Sequence, residues 1–279
     1  MPFALLATLG LAVVLPSTAA IPGSGAAVEL ANPDRAAADA FSAALAAVPE
    51  NGSVLVDVDA DLGTYPEIRY AARAALADAL GRNLSLAFVS FSPEGRALAA
   101  AELARLRREG VPPHRLLDLG YTAGAEAGLV LSVTSLVPDE ATGSFADSLR
   151  ARGGGIDAFD LVMVLAGGDM GPRSWIEQVE TRLPTLSVVA IAPTFLRPEL
   201  EPYLRSGQLR GLLATVRDDV AYGATVEAAA GPGQPLPPER APNALAMLAG
   251  MLIALVVLIQ ADARRMLAAV RHGLDRTPG

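Results

Sequence analysis

Residues 53–63 read SVLVDVDADLG and carry the clearest fold signal in the chain. The first six of these residues are mostly apolar and β-branched, and a run this short between turn residues predicts a buried strand. The run ends in three carboxylates at alternate positions, Asp57, Asp59 and Asp61, and Gly63 then precedes a helical pattern. A buried strand that passes through a short acidic loop into a helix indicates an α/β unit.

Outward from this run, apolar strands alternate with helices along the chain. We predict further strands at residues 84–91, 115–119, 159–165 and 186–192, and helices at residues 34–48, 65–80, 93–110 and from residue 172. The strands are continuously apolar, as expected where both faces of a sheet are covered, and helical crossovers join parallel strands. The prediction is an α/β fold, a three-layer, doubly wound, mainly parallel and Rossmann-like sheet of about five strands, in a domain spanning residues 34–226.

Three stretches carry weaker patterns. Residues 120–137 favour helix over strand, residues 142–155 end in three glycines and indicate an exposed loop, and residues 196–222 indicate one or two helices interrupted near residues 206–207.

The composition excludes several classes of function. The net charge is −8, and the acidic residues are interspersed with arginines, whereas nucleic-acid binding needs clustered cations. All 22 basic residues are arginine and no cysteine is present, so lysine chemistry, disulfides and thiolate metal sites are absent. We therefore expect no nucleic-acid partner.

The C-terminal part of the chain has the pattern of a membrane anchor. Residues 243–261 are uncharged and predominantly apolar, close to the ~20 residues that a transmembrane helix needs. A Pro- and Gly-rich linker at residues 227–242 separates this stretch from the α/β domain, and a basic, amphipathic tail follows at residues 262–279. The residues taken to define the anchor and its basic flank are Ala244, Leu248, Leu252, Leu255, Ile259, Arg264 and Arg265.

These features predict an orientation. Basic residues stay on the cytoplasmic side, so the tail is expected inside and the α/β domain outside the cytoplasmic (inner) membrane. Residues 1–20 are a signal peptide or a short N-terminal membrane segment, and residues 21–33 are a spacer. We expect a single-pass protein whose partners are membrane lipid and either other membrane proteins or further copies of itself.

The acidic residues after the first strand suggest two kinds of chemistry. Asp57, Asp59 and Asp61 provide the hard oxygen ligands that Mg²⁺ prefers, which gives an alternative metal site. Asp57-x-Asp59, a serine at the end of the second strand (Ser90 or Ser92) and Asp169 after a later strand also resemble haloacid-dehalogenase-type phosphatases. That resemblance implies a nucleophile at Asp57, an acid/base at Asp59 and a Mg²⁺ ligand at Asp169. Turn formation and helix capping account for the same carboxylates without chemistry.

A second polar feature follows the strand at residues 159–165. Gly167, Gly168 and Gly171 precede a helix, where backbone N–H groups could bind an anion, with Ser90 and Ser92 as further candidate ligand-binding residues. A tight strand-to-helix turn explains these glycines equally well. If a ligand binds there, the domain would be a membrane-tethered solute sensor resembling one lobe of a periplasmic binding protein.

Two further stretches carry a family resemblance. Residues 119–127 (LGYTAGAEA) and 203–213 (YLRSGQLRGLL) resemble segments of uncharacterised prokaryotic membrane-anchored α/β proteins with one C-terminal span. The resemblance implies the architecture and no activity or site residues. The leading hypothesis is therefore a non-catalytic binding or scaffolding subunit of a membrane complex, without a cofactor, and the alternatives are the Mg²⁺-dependent phosphohydrolase and the sensor.

Overall fold

A computed structural model describes residues 35–167 and 170–230, all within the compact unit Pro33–Leu236. Its strands are β1 (Ser53–Val58), β2 (Ser85–Ser90), β3 (Leu116–Tyr121), β4 (Leu161–Leu165), β5 (Val188–Ile191) and β6 (Leu209–Leu213). Its helices are α1 (Arg35–Ala46), α2 (Tyr65–Gly81), α3 (Pro93–Arg108), α4 (Glu126–Ser132), α5 (Ser144–Ala151), α6 (Pro172–Ser174, continued as a π-helix over Trp175–Glu180), α7 (Arg197–Ser206) and α8 (Val216–Ala230).

The six strands form one parallel sheet in the order β3-β2-β1-β4-β5-β6. This is the order of a doubly wound, Rossmann-like sheet, in which the chain moves outward from β1 in one direction and restarts beside β1 in the other. The α/β class and the parallel sheet predicted from the sequence are confirmed. The carboxyl ends of β1 and β4 adjoin at the reversal point, which is the usual place for ligands in such sheets.

Two buried layers flank the sheet. Helices α1, α2, α3 and α8 cover one face with a core that includes Phe41, Phe88 and Tyr222. Helices α4, α5, α6 and α7 cover the other face with a core that includes Trp175 and Leu129. Successive β1 residues point to opposite faces, so every residue of this strand is buried. That explains why its sequence is continuously apolar.

The structure corrects three parts of the prediction. The sheet has six strands rather than about five, because residues 209–213 form β6 and not part of a helix. Residues 144–151 form α5 rather than an exposed loop, with Ala146 and Leu149 buried on its inner side. Within residues 120–137 the helix is restricted to α4, since residues 116–121 belong to β3.

The edge strand β6 depends on a tertiary contact. A Cβ atom at Gly211 would lie 2.8 Å from the Cα atom of Phe41, so a glycine is needed where α1 crosses the strand. This requirement interrupts the apolar pattern that identifies the other strands.

The expected membrane segments lie outside the described residues. Within residues 35–167 and 170–230, no helix combines the length and the apolar character needed to cross a bilayer. The predicted anchor, including Ala244, Leu248, Leu252, Leu255 and Ile259 with Arg264 and Arg265, is not among these residues, and neither are residues 1–34.

Candidate functional site: the carboxyl edge of the sheet

The reversal point between β1 and β4 is closed by the protein's own loops. The backbone N–H of Asp59 donates to the carbonyl of Leu165 at 3.0 Å and joins the ends of the two strands. Beyond them, the Thr64 hydroxyl donates to the carbonyl of Gly167 at 3.2 Å. A Cβ atom at Gly167 would lie 2.3 Å from the Thr64 hydroxyl oxygen. Close packing of the two loops therefore explains this glycine, and the crevice is filled here by Thr64.

Asp57 lies beneath this crevice in the core. Its side chain is fully buried on the face covered by α6, and the Trp175 indole N–H donates to its Oδ2 atom at 2.6 Å. The other carboxylate oxygen, Oδ1, accepts no hydrogen bond from the described residues. Burial raises the pKa of Asp57 to about 7, and the Trp175 hydrogen bond lowers it in part. Asp57 is thus a carboxyl group that titrates near neutral pH without contact with solvent.

Asp59 and Asp61 have different surroundings from Asp57. Asp59 is also fully buried. Asp61 is partly exposed and accepts hydrogen bonds at Oδ1 from the backbone N–H groups of Thr64 and Gly63, both at 2.7 Å. The Thr64 backbone hydrogen bond is the main cause that lowers the pKa of Asp61. Asp61 therefore holds the turn that begins α2.

No metal centre is formed by the described residues. In residues 35–167 and 170–230, no group of three or more acidic or histidine side chains is placed to hold a metal ion. Asp57, Asp59 and Asp61 are thus not arranged as a Mg²⁺ ligand set. Asp169, which the phosphatase resemblance requires, lies outside the described residues, as does Gly168.

The two serines after β2 have local partners. The Ser90 hydroxyl is fully buried and donates to the Ser92 carbonyl at 2.8 Å. The Ser92 hydroxyl accepts from the Gly95 N–H at 3.0 Å and caps the N-terminus of α3. Gly171 precedes α6 in an extended conformation. Anion binding at these residues stays a prediction.

Sequence reasoning missed the partner of Trp175. The Trp175 ring packs edge-to-face against Phe91 with centroids 6.1 Å apart, and the π-helix begins at Trp175 itself. Beside it, the Ser174 hydroxyl donates to Glu126 at 3.0 Å. An acidic residue inside an otherwise apolar strand was the available signal, because such a group needs a buried donor.

Four of the five exposed large apolar side chains of the described residues lie at or after the carboxyl end of a strand. Leu62 follows β1, Tyr121 ends β3, Phe195 follows β5 and Val216 follows β6. Leu131 lies in α4, the helix after β3. In a parallel sheet the segments that carry Leu62, Tyr121, Phe195 and Val216 lie at the carboxyl edge. Leu131 lies toward the other edge, because the nearby Val133 carbonyl accepts from the Ile156 N–H in the segment that leads into β4.

Acidic side chains accompany this apolar group. Glu67 accepts a hydrogen bond from the Thr194 N–H at 2.8 Å, which places α2 beside the loop after β5. Asp218 is buried and accepts from Arg197 at 3.1 Å and from the Ala214 N–H at 3.0 Å. Burial, and then the charges of Asp218 and Glu67, raise the pKa of Asp219 well above its ordinary value. The edge thus combines apolar and acidic groups.

No protein-family model, curated protein or solved structure matches the chain. The six-stranded sheet establishes the fold, and fold alone does not assign a function. The resemblance to uncharacterised membrane-anchored proteins stays a prediction.

Proposed function

We propose that the chain is a membrane-anchored, extracytoplasmic α/β protein that acts as a non-catalytic binding or scaffolding subunit of a membrane complex. The binding surface is the carboxyl edge of its sheet. The observation that carries the proposal is the concentration of exposed Leu62, Tyr121, Phe195 and Val216 at that edge. Isolated exposed apolar residues are ordinary, whereas a contiguous patch of them is typical of an interaction surface. The proposal takes those after β5 and β6, which are neighbouring strands, as the centre of such a patch.

The path of the chain supports this assignment. Helix α8 begins at the carboxyl edge after β6, and the Tyr222 hydroxyl donates to Asp78 near the end of α2 at 2.8 Å. Helix α8 therefore runs toward the amino edge, where the described chain ends at Ala230. The last described residue therefore lies on the side of the sheet opposite to Leu62, Phe195 and Val216.

Quantitative co-purification of the full-length protein in mild detergent tests the proposal. We expect one or more membrane proteins to be recovered with the wild type, and Phe195→Asp to reduce their recovery because it places a charge at the centre of an apolar contact. Ala47→Asp is the matched control, since Ala47 is also exposed but lies before β1 at the amino edge. Recovery of the wild type always alone would refute the proposal.

A Mg²⁺-dependent phosphohydrolase is the second candidate. The strand order and the position of Asp57-x-Asp59 at the end of central β1 favour it. The burial of Asp57 and its hydrogen bond to Trp175 oppose it, because a nucleophile must reach its substrate. A phosphatase assay with a chromogenic phosphate ester and Mg²⁺ tests this candidate. Activity that is lost in Asp57→Asn and retained in Asp61→Asn would establish the protein as a phosphohydrolase.

The solute-sensor alternative has less support. Its ligand would occupy the crevice between β1 and β4, where Thr64 packs against Gly167. Thr64→Ala removes the side chain that fills the crevice. If this variant binds inorganic phosphate more tightly than the wild type does, the result would support the sensor alternative.

A further inference from the structure

The turn that leads into β1 contains a chemically reactive dipeptide. Of the asparagines in the chain, only Asn51 precedes a glycine. Asn51 is exposed and has a φ of 59°, in the left-handed region that asparagine adopts more readily than most residues. A Cβ atom at Gly52 would lie 2.7 Å from the carbonyl oxygen of Pro49, so a larger residue would displace the turn. The fold therefore favours glycine here, and the Gly52 nitrogen has no neighbouring side chain of its own to shield it.

Two hydrogen bonds hold this dipeptide in place. The Gly52 N–H donates to the Pro49 carbonyl at 2.9 Å and closes a β-turn over residues 49–52. The Asn83 side-chain amide, in the exposed turn before β2, donates to the Oδ1 atom of Asn51. The backbone nitrogen of Gly52 and the side chain of Asn51 are thus engaged with different partners.

An asparagine that precedes a glycine can lose its side-chain amide without an enzyme. The Gly52 nitrogen attacks the Cγ atom of Asn51 and forms a C–N bond. The bond from Cγ to Nδ2 breaks, and ammonia leaves with the proton of the Gly52 N–H. Water then opens the five-membered succinimide ring at either carbonyl. The products are aspartate and isoaspartate, and in isoaspartate the backbone passes through Cβ and Cγ.

The observed turn opposes this reaction. The Gly52 nitrogen must face the Asn51 side chain, which requires rotation about the Cα–C bond of Asn51. That rotation breaks the hydrogen bond to Pro49, and the contact with Asn83 also fixes the carboxamide that has to turn. Ring closure therefore needs a local opening of the turn, and the free energy of that opening lowers the rate.

We propose that Asn51 is a site of spontaneous deamidation through a succinimide, which the turn at residues 49–52 and the Asn83 contact restrain in the folded protein. The site lies before β1, at the amino edge of the sheet. It does not depend on the partner proposed for the carboxyl edge.

The isoaspartate product would disturb the start of the central strand. It lengthens the backbone directly before Ser53, whose N–H donates to Asp160 at 2.7 Å. The carbonyl of Gly52 also accepts from the Ser85 N–H at 2.9 Å and joins β1 to β2. One additional backbone atom conflicts with both contacts, whereas aspartate at position 51 keeps the backbone length. Deamidation to isoaspartate therefore weakens the amino end of β1.

Mass spectrometry of the full-length protein in mild detergent tests the proposal. The protein is incubated at pH 8 with and without urea, and the peptide that contains Asn51 is assayed for aspartate and isoaspartate. Opening breaks two hydrogen bonds, each worth about fivefold in rate, so deamidation should be about twentyfold slower in the folded protein than in urea. Asn83 in the same samples is the internal control, because the side chain of Leu84 hinders the corresponding attack.

Asn83→Gly tests the contribution of the side-chain contact. Glycine adopts the left-handed conformation of Asn83, which has a φ of 64°, but cannot donate to Asn51. We expect the folded variant to deamidate about fivefold faster than the folded wild type, with the rate in urea unchanged. Asn51→Gln is the chemical control in urea, since glutamine must close a six-membered ring and its peptide should stay unmodified.

Three outcomes would overturn the inference: equal rates with and without urea, an unmodified Asn51 in urea, or a folded Asn83→Gly variant that deamidates at the wild-type rate. A glycan on the Nδ2 atom of Asn51 would also overturn it, because Asn51-Gly52-Ser53 is an acceptor sequence and the glycan would occupy the nitrogen that must leave. The isoaspartate fraction, separated by chromatography, should unfold at a lower urea concentration than the aspartate fraction. Equal midpoints would refute the weakening of β1.

Discussion

The buried carboxyl group of Asp57 should make the stability of this protein fall as the pH rises. Burial raises the pKa of Asp57 from 3.8 to about 7. Between about pH 4 and pH 7 the folded state therefore holds a proton on Asp57 that the unfolded state has already released. Because the folded state binds more protons in this interval, its stability decreases as the pH rises. From pH 5 to about pH 7, an interval of two pH units, the free energy of unfolding should fall by roughly 3 kcal/mol, at ~1.4 kcal/mol per unit, and it should change little more up to pH 8.

Asp57→Asn tests this reasoning because asparagine cannot ionise and its side-chain oxygen can still accept from Trp175. We expect the variant to lose the part of the pH-dependent fall that Asp57 contributes, while Asp219, whose pKa burial also raises, still contributes its own part. The variant should be less stable than the wild type at pH 5, where its amide N–H groups are buried without a partner, and more stable at pH 8. The assay is urea unfolding of the full-length protein in mild detergent from pH 5 to 8, followed by the fluorescence of Trp175, the single tryptophan of the chain.

Asp61→Asn is the matched control for the same assay. Hydrogen bonds lower the pKa of Asp61, with the backbone N–H of Thr64 as the main cause. The stability that Asp61 contributes is therefore present above its ordinary pKa and is lost only as the pH falls through the lowered value. Asp61→Asn should keep the wild-type slope between pH 5 and 8. The same slope in Asp57→Asn and in the wild type would refute the assignment of a raised pKa to Asp57.

Two further predictions concern packing and charge. Gly95→Ala should destabilise the protein by about 1 to 3 kcal/mol, because its Cβ atom would lie 1.9 Å from the carbonyl oxygen of Val58. Gly81→Ala is the control: its Cβ atom meets no atom within 4 Å, and the substitution should stabilise α2 by up to about 1 kcal/mol. Equal urea midpoints for the two variants would contradict this prediction. Glu102→Gln should lower the free energy of unfolding by about 1 to 3 kcal/mol, because this buried carboxylate receives charged hydrogen bonds from two arginines, of which Arg105 also contacts Glu109 at 2.6 Å. The two contacts with Glu102 are Arg73 at 2.8 Å and Arg105 at 2.6 Å. A change in the urea midpoint below the measurement error would show that the remaining partners of the arginines are sufficient.

Local sequence predicted the central strands well and the edge of the sheet poorly. The bounds of β1 are those expected from residues 53–58, because a fully buried central strand must be apolar on both faces. Strand β6 was missed because Arg210 is exposed and Gly211 accommodates Phe41, which weakens the apolar pattern. Helix α5 was missed because it buries only Ala146 and Leu149 and is bounded by glycines.

The candidate site was predicted in part. The sequence indicated that Asp57, Asp59 and Asp61 follow the first strand, and they do lie at the end of β1. It did not indicate that Asp57 is buried against Trp175, which is 118 residues away in the chain, while Asp61 holds a turn at the surface. Alternate spacing is a local property, but burial and hydrogen-bond partners depend on which helices cover the sheet.

The sequence by itself determined the α/β class, the parallel sheet and the absence of cysteine and lysine chemistry. Each of these follows from residue type and short-range periodicity, which act over one strand or one helix. Only the tertiary structure decided the strand order, the closure of the crevice by Thr64 and the meeting of Leu62, Phe195 and Val216 at one edge. The physical reason is that crossover connections bring distant loops together, and no local pattern records which loops become neighbours.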